Sequence, residues 1–191
     1  MRIPRHIGVA AAAVASAVTL LMGAGAGDAS ALTVDPSKFG HTASLTAGVL
    51  SVAVTNSTAR SVRCQLSVHR EADSTQLTTT VDAVNAELAR TVLTAAGAAN
   101  LAALRSSVAA GALATLWTDK TIEASATSSA SWNSGRTDSS YVIYQDCAST
   151  DSLLGLPTGV GAAQVYTVTG TGEPVDAPGS TGSLGSLIPG L

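Results

Sequence analysis

Two segments of the chain alternate apolar and polar residues with the period of two that is typical of a half-buried β-strand. In residues 62–69, the apolar phase contains Val62, Cys64, Leu66 and Val68. In residues 141–147, one phase contains Tyr141, Ile143, Gln145 and Cys147. Each cysteine therefore lies in the inward-facing row of a predicted strand.

Weaker alternation predicts the remaining strands. Leu50, Val52 and Val54 precede a polar stretch at 56–60, so this segment and residues 62–69 are expected to form an antiparallel hairpin. Residues 121–132 alternate with a thin inner face of mostly small side chains. With short strands expected at 44–47 and 163–169, the pattern predicts about six strands.

Between the two cysteine-bearing strands, the apolar spacing changes to three and four, which indicates helix. The first stripe contains Val81, Val84, Leu88, Val92, Ala95 and Ala99, and after Gly97 a second stripe begins in a different phase with Leu101, Leu104, Val108 and Ala112. We therefore predict two helices, over residues 81–96 and 101–117, with Thr80 and Asn100 as N-caps. A single kinked helix is the alternative.

The first 31 residues have the pattern of an export signal of the general secretory type. A basic start is followed by an apolar stretch at 7–22 and by the small residues Ala29-Ser30-Ala31, so cleavage is expected after Ala31. Ala24-Gly25-Ala26 offers a second cleavage site. An uncleaved membrane anchor is the alternative, although the apolar run is shorter than the ~20 residues that span a bilayer. No transmembrane segment is expected in the mature chain.

Composition and charge narrow the classes of function. The chain has 191 residues, 46% of them apolar and 12% charged, with a net charge of −3, so no overall positive field attracts nucleic acid. The predicted organisation is an export signal at 1–31, an N-terminal extension at 32–41, a β-sandwich domain at 42–170 with a helical insertion at about 80–118, and a disordered tail rich in Gly, Ser and Pro at 171–191.

Cys64 and Cys147 are the only cysteines of the chain. An even number in an exported protein predicts one disulfide bond, because that compartment is oxidising. Since both cysteines lie in inward-facing rows, the bond is expected to join two sheets across the core. A thiol nucleophile or a metal ligand is the alternative, but it would need a partner at close spacing, and no C-x-x-C motif occurs.

The sequence offers little material for catalysis. His41 and His69 are the only histidines after the predicted signal, and no G-x-S-x-G motif occurs. His69 is expected on a solvated strand face beside Arg63 and Arg70, with an anion-contacting patch as the alternative. We therefore predict no catalytic, cofactor-binding or metal-binding residues and no cofactor.

Three segments, residues 51–56, 62–66 and 144–147, carry a resemblance to a known architecture. Together they resemble the immunoglobulin-like sandwich modules of exported actinobacterial proteins. The resemblance implies a mainly β fold, an antiparallel immunoglobulin-like sandwich, to which the helical pair and the disordered C-terminal tail are additions. It also implies export, and it specifies no partner.

The favoured function is a secreted or cell-envelope-associated, non-enzymatic binding or structural module of unknown ligand. Its candidate partner surface, for a protein or a lipid, is the apolar face of the helical insertion, formed by Leu88, Val92, Leu101, Leu104 and Val108. These side chains could instead pack on each other and on the sheet. The alternatives are a small secreted enzyme whose site is assembled from dispersed residues, such as His41 and His69, and an envelope pore-forming protein. A groove on the helices would favour the binding module, and a cleft with a histidine beside a carboxylate would favour the enzyme.

Overall fold

A computed structural model of the chain describes residues 32–90, 94–149, 152–153, 156–157 and 159–174. The predicted export signal and residues 175–191 of the predicted tail lie outside these residues. The predicted N-terminal extension at 32–41 belongs to the folded domain, since it contains a short strand, a 3-10 turn and the start of a longer strand.

Ten strands and two helices are described. The strands are β1 (Thr33–Val34), β2 (Phe39–Thr46), β3 (Val49–Asn56), β4 (Val62–Arg70), β5 (Ala114–Ile122), β6 (Thr127–Asn133), β7 (Ser140–Ser149), β8 (Ser152–Leu153), β9 (Leu156–Pro157) and β10 (Val160–Thr169). The helices are α1 (Ser74–Leu88) and α2 (Ala95–Gly111). The predictions of a mainly β fold and of two helices between the cysteine-bearing strands are confirmed.

Two sheets enclose the main core. One sheet has five strands in the order β1-β10-β7-β4-β5, antiparallel except for β1 with β10, and the other has three antiparallel strands in the order β2-β3-β6. Strands β8 and β9 form a separate short pair. The main core takes fully buried side chains from both sheets, among them Phe39, Leu50, Val52, Leu66 and Ile143.

The disulfide bond between Cys64 and Cys147 is confirmed, but the prediction that it joins two sheets is wrong. The two cysteines lie directly opposite each other on β4 and β7, which are neighbours in the five-stranded sheet, with a Cα–Cα distance of 4.1 Å. Both side chains face the main core and are fully buried. Alternation along a strand predicted the face correctly, but it carries no information about which strand lies next to which.

The helices cover the outer face of the five-stranded sheet, so that the molecule has three layers. A second core cluster joins helical residues such as Val84 and Leu101 to Val142, Tyr144 and Ala163 of the sheet. Asn85 of α1 fastens the helix to β10, because its side chain accepts a hydrogen bond from the Ala163 amide at 2.8 Å and donates one to the Ala163 carbonyl at 3.0 Å.

The predicted helix bounds need correction. Helix α1 begins at Ser74 rather than at residue 81, and α2 begins after Thr94, whose hydroxyl accepts a hydrogen bond from the Gly97 amide, so Asn100 is not an N-cap. Residues 114–117, predicted as helix, form the start of β5. Among them Thr115 and Trp117 favour strand, and β4 supplies the partner that local periodicity cannot show.

The strand predicted over residues 121–132 is two strands. Strand β5 ends at Ile122, a turn follows in which Ser125 adopts a positive φ of 57°, and β6 starts at Thr127. The turn closes with a 3.1 Å hydrogen bond from the Ala126 amide to the Glu123 carbonyl. It contains no glycine, proline or asparagine, so the usual sequence signals of a turn are missing.

Candidate functional site

A groove with a volume of about 480 Å³ lies between helix α2 and the outer face of the five-stranded sheet. The helices pack on β10 and β7. They also line a small cavity at His69 of β4, whereas no residue of the edge strand β5 belongs to their core cluster. We call this space the α2 groove; its lining residues are Gln65, Leu66, Ser67, Ala98, Leu101, Ala102, Arg105, Ser106, Val108, Ala109, Thr115, Trp117, Thr118 and Tyr144.

Small side chains on α2 create the space. Ala98, Ala102 and Ala109 recur at spacings of four and seven, so they lie on one side of the helix, and Trp117 of β5 also contacts the groove. The β4–β5 register shifts on both sides of Leu66, which places a local irregularity of the sheet at this point. The lining is mostly apolar with a few polar groups, which is the usual character of a small-molecule pocket of this size.

A buried ion pair marks the polar part of the groove. Arg105 of α2 donates to Asp146 of β7 through Nε at 2.6 Å and through Nη2 at 3.1 Å. The carboxylate is 2% exposed and also accepts a hydrogen bond from the Tyr144 hydroxyl at 3.2 Å. Burial acts to lower the pKa of Arg105, but the charges and hydrogen bonds of Asp146 and Tyr144 together outweigh it, and the pKa is raised. Burial, with the Asp146 charge, raises the pKa of Tyr144.

The α2 groove adjoins a smaller, charged recess of about 230 Å³, and Gln65 and Arg105 line both. The recess also contains the exposed ion pair between Arg63 and Asp119, with 2.9 Å between Nη1 and Oδ2. The mostly apolar groove therefore has charged groups at one side, which suits a ligand with an apolar body and a polar end.

Ser67, which lines the α2 groove, is hydrogen-bonded to His69. Ser67 Oγ lies 2.9 Å from His69 Nε2, two residues along the same face of β4. His69 also hydrogen-bonds the backbone of Gly111, at the end of α2. Burial lowers the pKa of His69, and the opposing effects of Asp73 and of the Gly111 hydrogen bond do not reverse this.

The prediction that His69 is solvated is wrong, since the residue is 1% exposed. It does lie on the outer face of its strand, but the helical pair covers that face. His41 lies on the other sheet, where its ring stacks on Tyr166 with 3.5 Å between ring centroids. The two histidines therefore lie on different sheets, and His69 is the one that contacts a residue lining the α2 groove.

The predicted partner surface on the helices is not an exposed surface at the residues that the structure describes. Leu88, Leu101 and Val108 are buried in the cluster beneath the helices, and Leu104 packs against that cluster. Val92 lies outside the described residues. The apolar stripe is covered because it packs on the outer face of the sheet, although Leu101 and Val108 also line the α2 groove.

Apart from Leu101 and Val108, the residues that line the groove were not predicted from the sequence. Gln65, Ser67 and His69 share the polar phase of the strand predicted at 62–69, and that common phase is the only signal that could have paired Ser67 with His69. Arg105 and Asp146 are 41 positions apart, and nothing in the local pattern connects them.

Within the described part of the chain, no set of three or more His, Cys, Asp or Glu side chains is arranged to hold a metal ion. The described helices include none with the length and hydropathy needed to cross a membrane. No protein-family model matches the chain, and neither a curated protein nor a solved structure matches it.

Proposed function

We propose that this protein is an exported binding module that holds a small, largely apolar ligand in the α2 groove. The observation that carries the proposal is the groove itself, an apolar space of about 480 Å³ that ends at the Arg105–Asp146 pair. Pockets of roughly 300–1,000 Å³ with this kind of lining bury most of a drug-sized ligand.

The polar end of the ligand is best matched by an uncharged carbonyl group. Arg105 has five N–H donors, of which two bond to Asp146 and another interacts with the Tyr144 hydroxyl, so at most two are left for a ligand. The guanidinium charge is already neutralised by the Asp146 carboxylate, so a carboxylate ligand would have to compete with that residue. An ester or amide oxygen accepts a hydrogen bond without that competition, and we expect an acyl chain with a neutral head group.

Export is the second part of the proposal. A disulfide bond between two fully buried cysteines fits an extracellular location, because such a compartment is oxidising. The basic start, the apolar run and Ala29-Ser30-Ala31 support a cleaved signal. Mass spectrometry of the secreted protein should give a chain that starts near Leu32; a chain retaining Met1 in the cytoplasm would contradict this part.

Ligand binding is tested with methyl octanoate and the fluorescence of Trp117. In a Trp132→Phe background, Trp117 is the only tryptophan, and saturable quenching or a spectral shift on titration is expected. Ala102→Phe fills the groove and should abolish the signal. The matched control is Ala103→Phe, because Ala103 is the next residue of α2, is exposed and does not line the groove. Equal binding by both variants, or no saturable binding, would refute the proposal.

A further inference from the structure

The hydroxyl of Ser67 meets two requirements of a nucleophile. Ser67 lines the α2 groove, so a ligand in the groove can reach it, and its Oγ lies 2.9 Å from a ring nitrogen of His69. A neighbouring general base within hydrogen-bond distance is what activates a serine hydroxyl for attack on a carbonyl carbon.

The hydrogen bonds of His69 define which nitrogen is the base. Because Nε2 faces Ser67, we assign the tautomer in which the other ring nitrogen carries the proton and donates it to the backbone of Gly111. In the neutral ring, Nε2 then carries no proton and accepts one from the serine hydroxyl. Serine–histidine catalysis requires a hydrogen-bond acceptor that orients the second ring nitrogen of the histidine. Here a backbone carbonyl takes the place of the usual carboxylate.

We propose that Ser67 and His69 form an acyl-transfer site that acts on a carboxylic ester held in the α2 groove. The ester follows from the proposed function, since it supplies the apolar chain and the neutral carbonyl that the groove accommodates. The role of Ser67 goes beyond that function and replaces the prediction of a module without catalytic residues.

The proposed reaction balances without a cofactor. Ser67 Oγ attacks the ester carbonyl carbon while its proton passes to His69 Nε2, and the collapse of the tetrahedral intermediate breaks the bond to the alcohol, which takes the proton from His69. Water, with His69 again as base, hydrolyses the acyl-Ser67 ester to the free acid. Thr115, directly opposite Ser67 on β5, and Arg105 are among the lining donors available to stabilise the oxyanion.

Burial, opposed by one of the charged groups around His69, sets the direction of the pH dependence. The small cavity at this histidine is also lined by Arg70, Asp73, Gln76 and Thr80, of which Arg70 and Asp73 are the charged members. Burial dominates and lowers the pKa of His69, so the neutral, basic form predominates at neutral pH. The acylation rate should therefore fall only as the pH drops below 6.5.

The test uses a fluorophosphonate bearing an octyl chain, with the site of labelling located by mass spectrometry on the folded, oxidised protein. The expected result is an adduct on Ser67, together with release of p-nitrophenol from p-nitrophenyl octanoate. Ser67→Ala should abolish both signals. His69→Gln should slow labelling of Ser67 by roughly 100-fold or more, since general-base catalysis contributes on that order.

Ser129→Ala is the matched control. Ser129 is an exposed serine on β6 of the other sheet and does not line the α2 groove, so this variant should label at the parent rate. Wild-type labelling does not depend on any variant folding, and the absence of an adduct on Ser67 in the folded protein would overturn the inference. Equal labelling of His69→Gln and the parent would overturn the role of His69.

Failure of this inference is distinguishable from failure of the proposed function. Saturable binding of methyl octanoate that Ala102→Phe abolishes, without an adduct on Ser67, leaves the binding module and refutes acyl transfer. An adduct on Ser67 without binding of methyl octanoate supports the nucleophile and refutes the proposed ligand class.

Discussion

The pair formed by Arg105 and Asp146 allows a quantitative prediction about stability. Arg105→Met keeps the aliphatic part of the side chain and removes the guanidinium, which leaves the Asp146 carboxylate with the Tyr144 hydroxyl as its remaining described donor. The carboxylate is 2% exposed, so water cannot replace the two lost hydrogen bonds without a rearrangement of α2.

The expected cost can be estimated from the burial of the two partners. Removing one member of a buried ion pair costs about 3–5 kcal/mol, because the other charge stays buried without compensation. Arg105 is 27% exposed, which favours the lower end, and we expect a loss of about 3 kcal/mol in the free energy of unfolding. For a chain of this size, that corresponds to a fall in Tm of roughly 6–12 °C.

Urea unfolding of the oxidised protein measures the loss, with two comparisons. Arg63→Met removes one member of the exposed Arg63–Asp119 pair, where the side chains are 62% and 57% exposed, and should cost at most about 1 kcal/mol. The double variant Arg105→Met/Asp146→Asn removes the buried charge as well and keeps an acceptor for Tyr144, so it should regain at least half of the loss.

The reasoning is refuted if Arg105→Met costs no more than Arg63→Met. It is also refuted if adding Asp146→Asn makes the protein less stable still, because the cost would then come from lost packing rather than from an isolated buried charge.

Three further predictions follow from the fold. Replacing Cys64 and Cys147 together by alanine should lower the free energy of unfolding by about 4.5 kcal/mol in the chain-entropy model, since the disulfide bond closes a loop with a sequence separation of 83. Denaturant titration measures this loss, and a loss below about 1 kcal/mol would contradict the model. Gly170→Ala should be strongly destabilising in thermal unfolding, because a Cβ there overlaps the backbone of β2, whereas Gly40→Ala, with open space around it, should change Tm little. Because the pKa of His69 is lowered in the folded state, the contribution of this histidine to the free energy of unfolding is complete above pH 6.5 and is lost as the pH falls toward the folded pKa. His69→Gln should reduce this pH dependence in unfolding curves measured between pH 7 and pH 4. An unchanged dependence of the free energy of unfolding on pH would rule out His69 as its source.

Local features of this protein could be predicted from its sequence. Period-two alternation correctly placed Cys64 and Cys147 on inward faces, because alternate side chains of a strand point to opposite sides whatever the strand pairs with. The change of spacing after the first cysteine strand correctly indicated helix for a similar reason, since helical periodicity is a property of neighbouring residues. The change of phase correctly indicated two helices, although the break precedes Ala95 and Gly97 lies within α2.

The candidate site depends on contacts between distant segments, and only the tertiary structure decided it. The sequence shows that Ser67 and His69 share a face, but their burial requires the helical pair to cover that face. The α2 groove exists because the helical pair does not extend over the edge strand β5. Its polar end exists because Arg105 of α2 forms an ion pair with Asp146 of β7. Periodicity reports which way a side chain points from its own backbone, whereas what lies opposite it is set by packing between segments that are far apart in the chain.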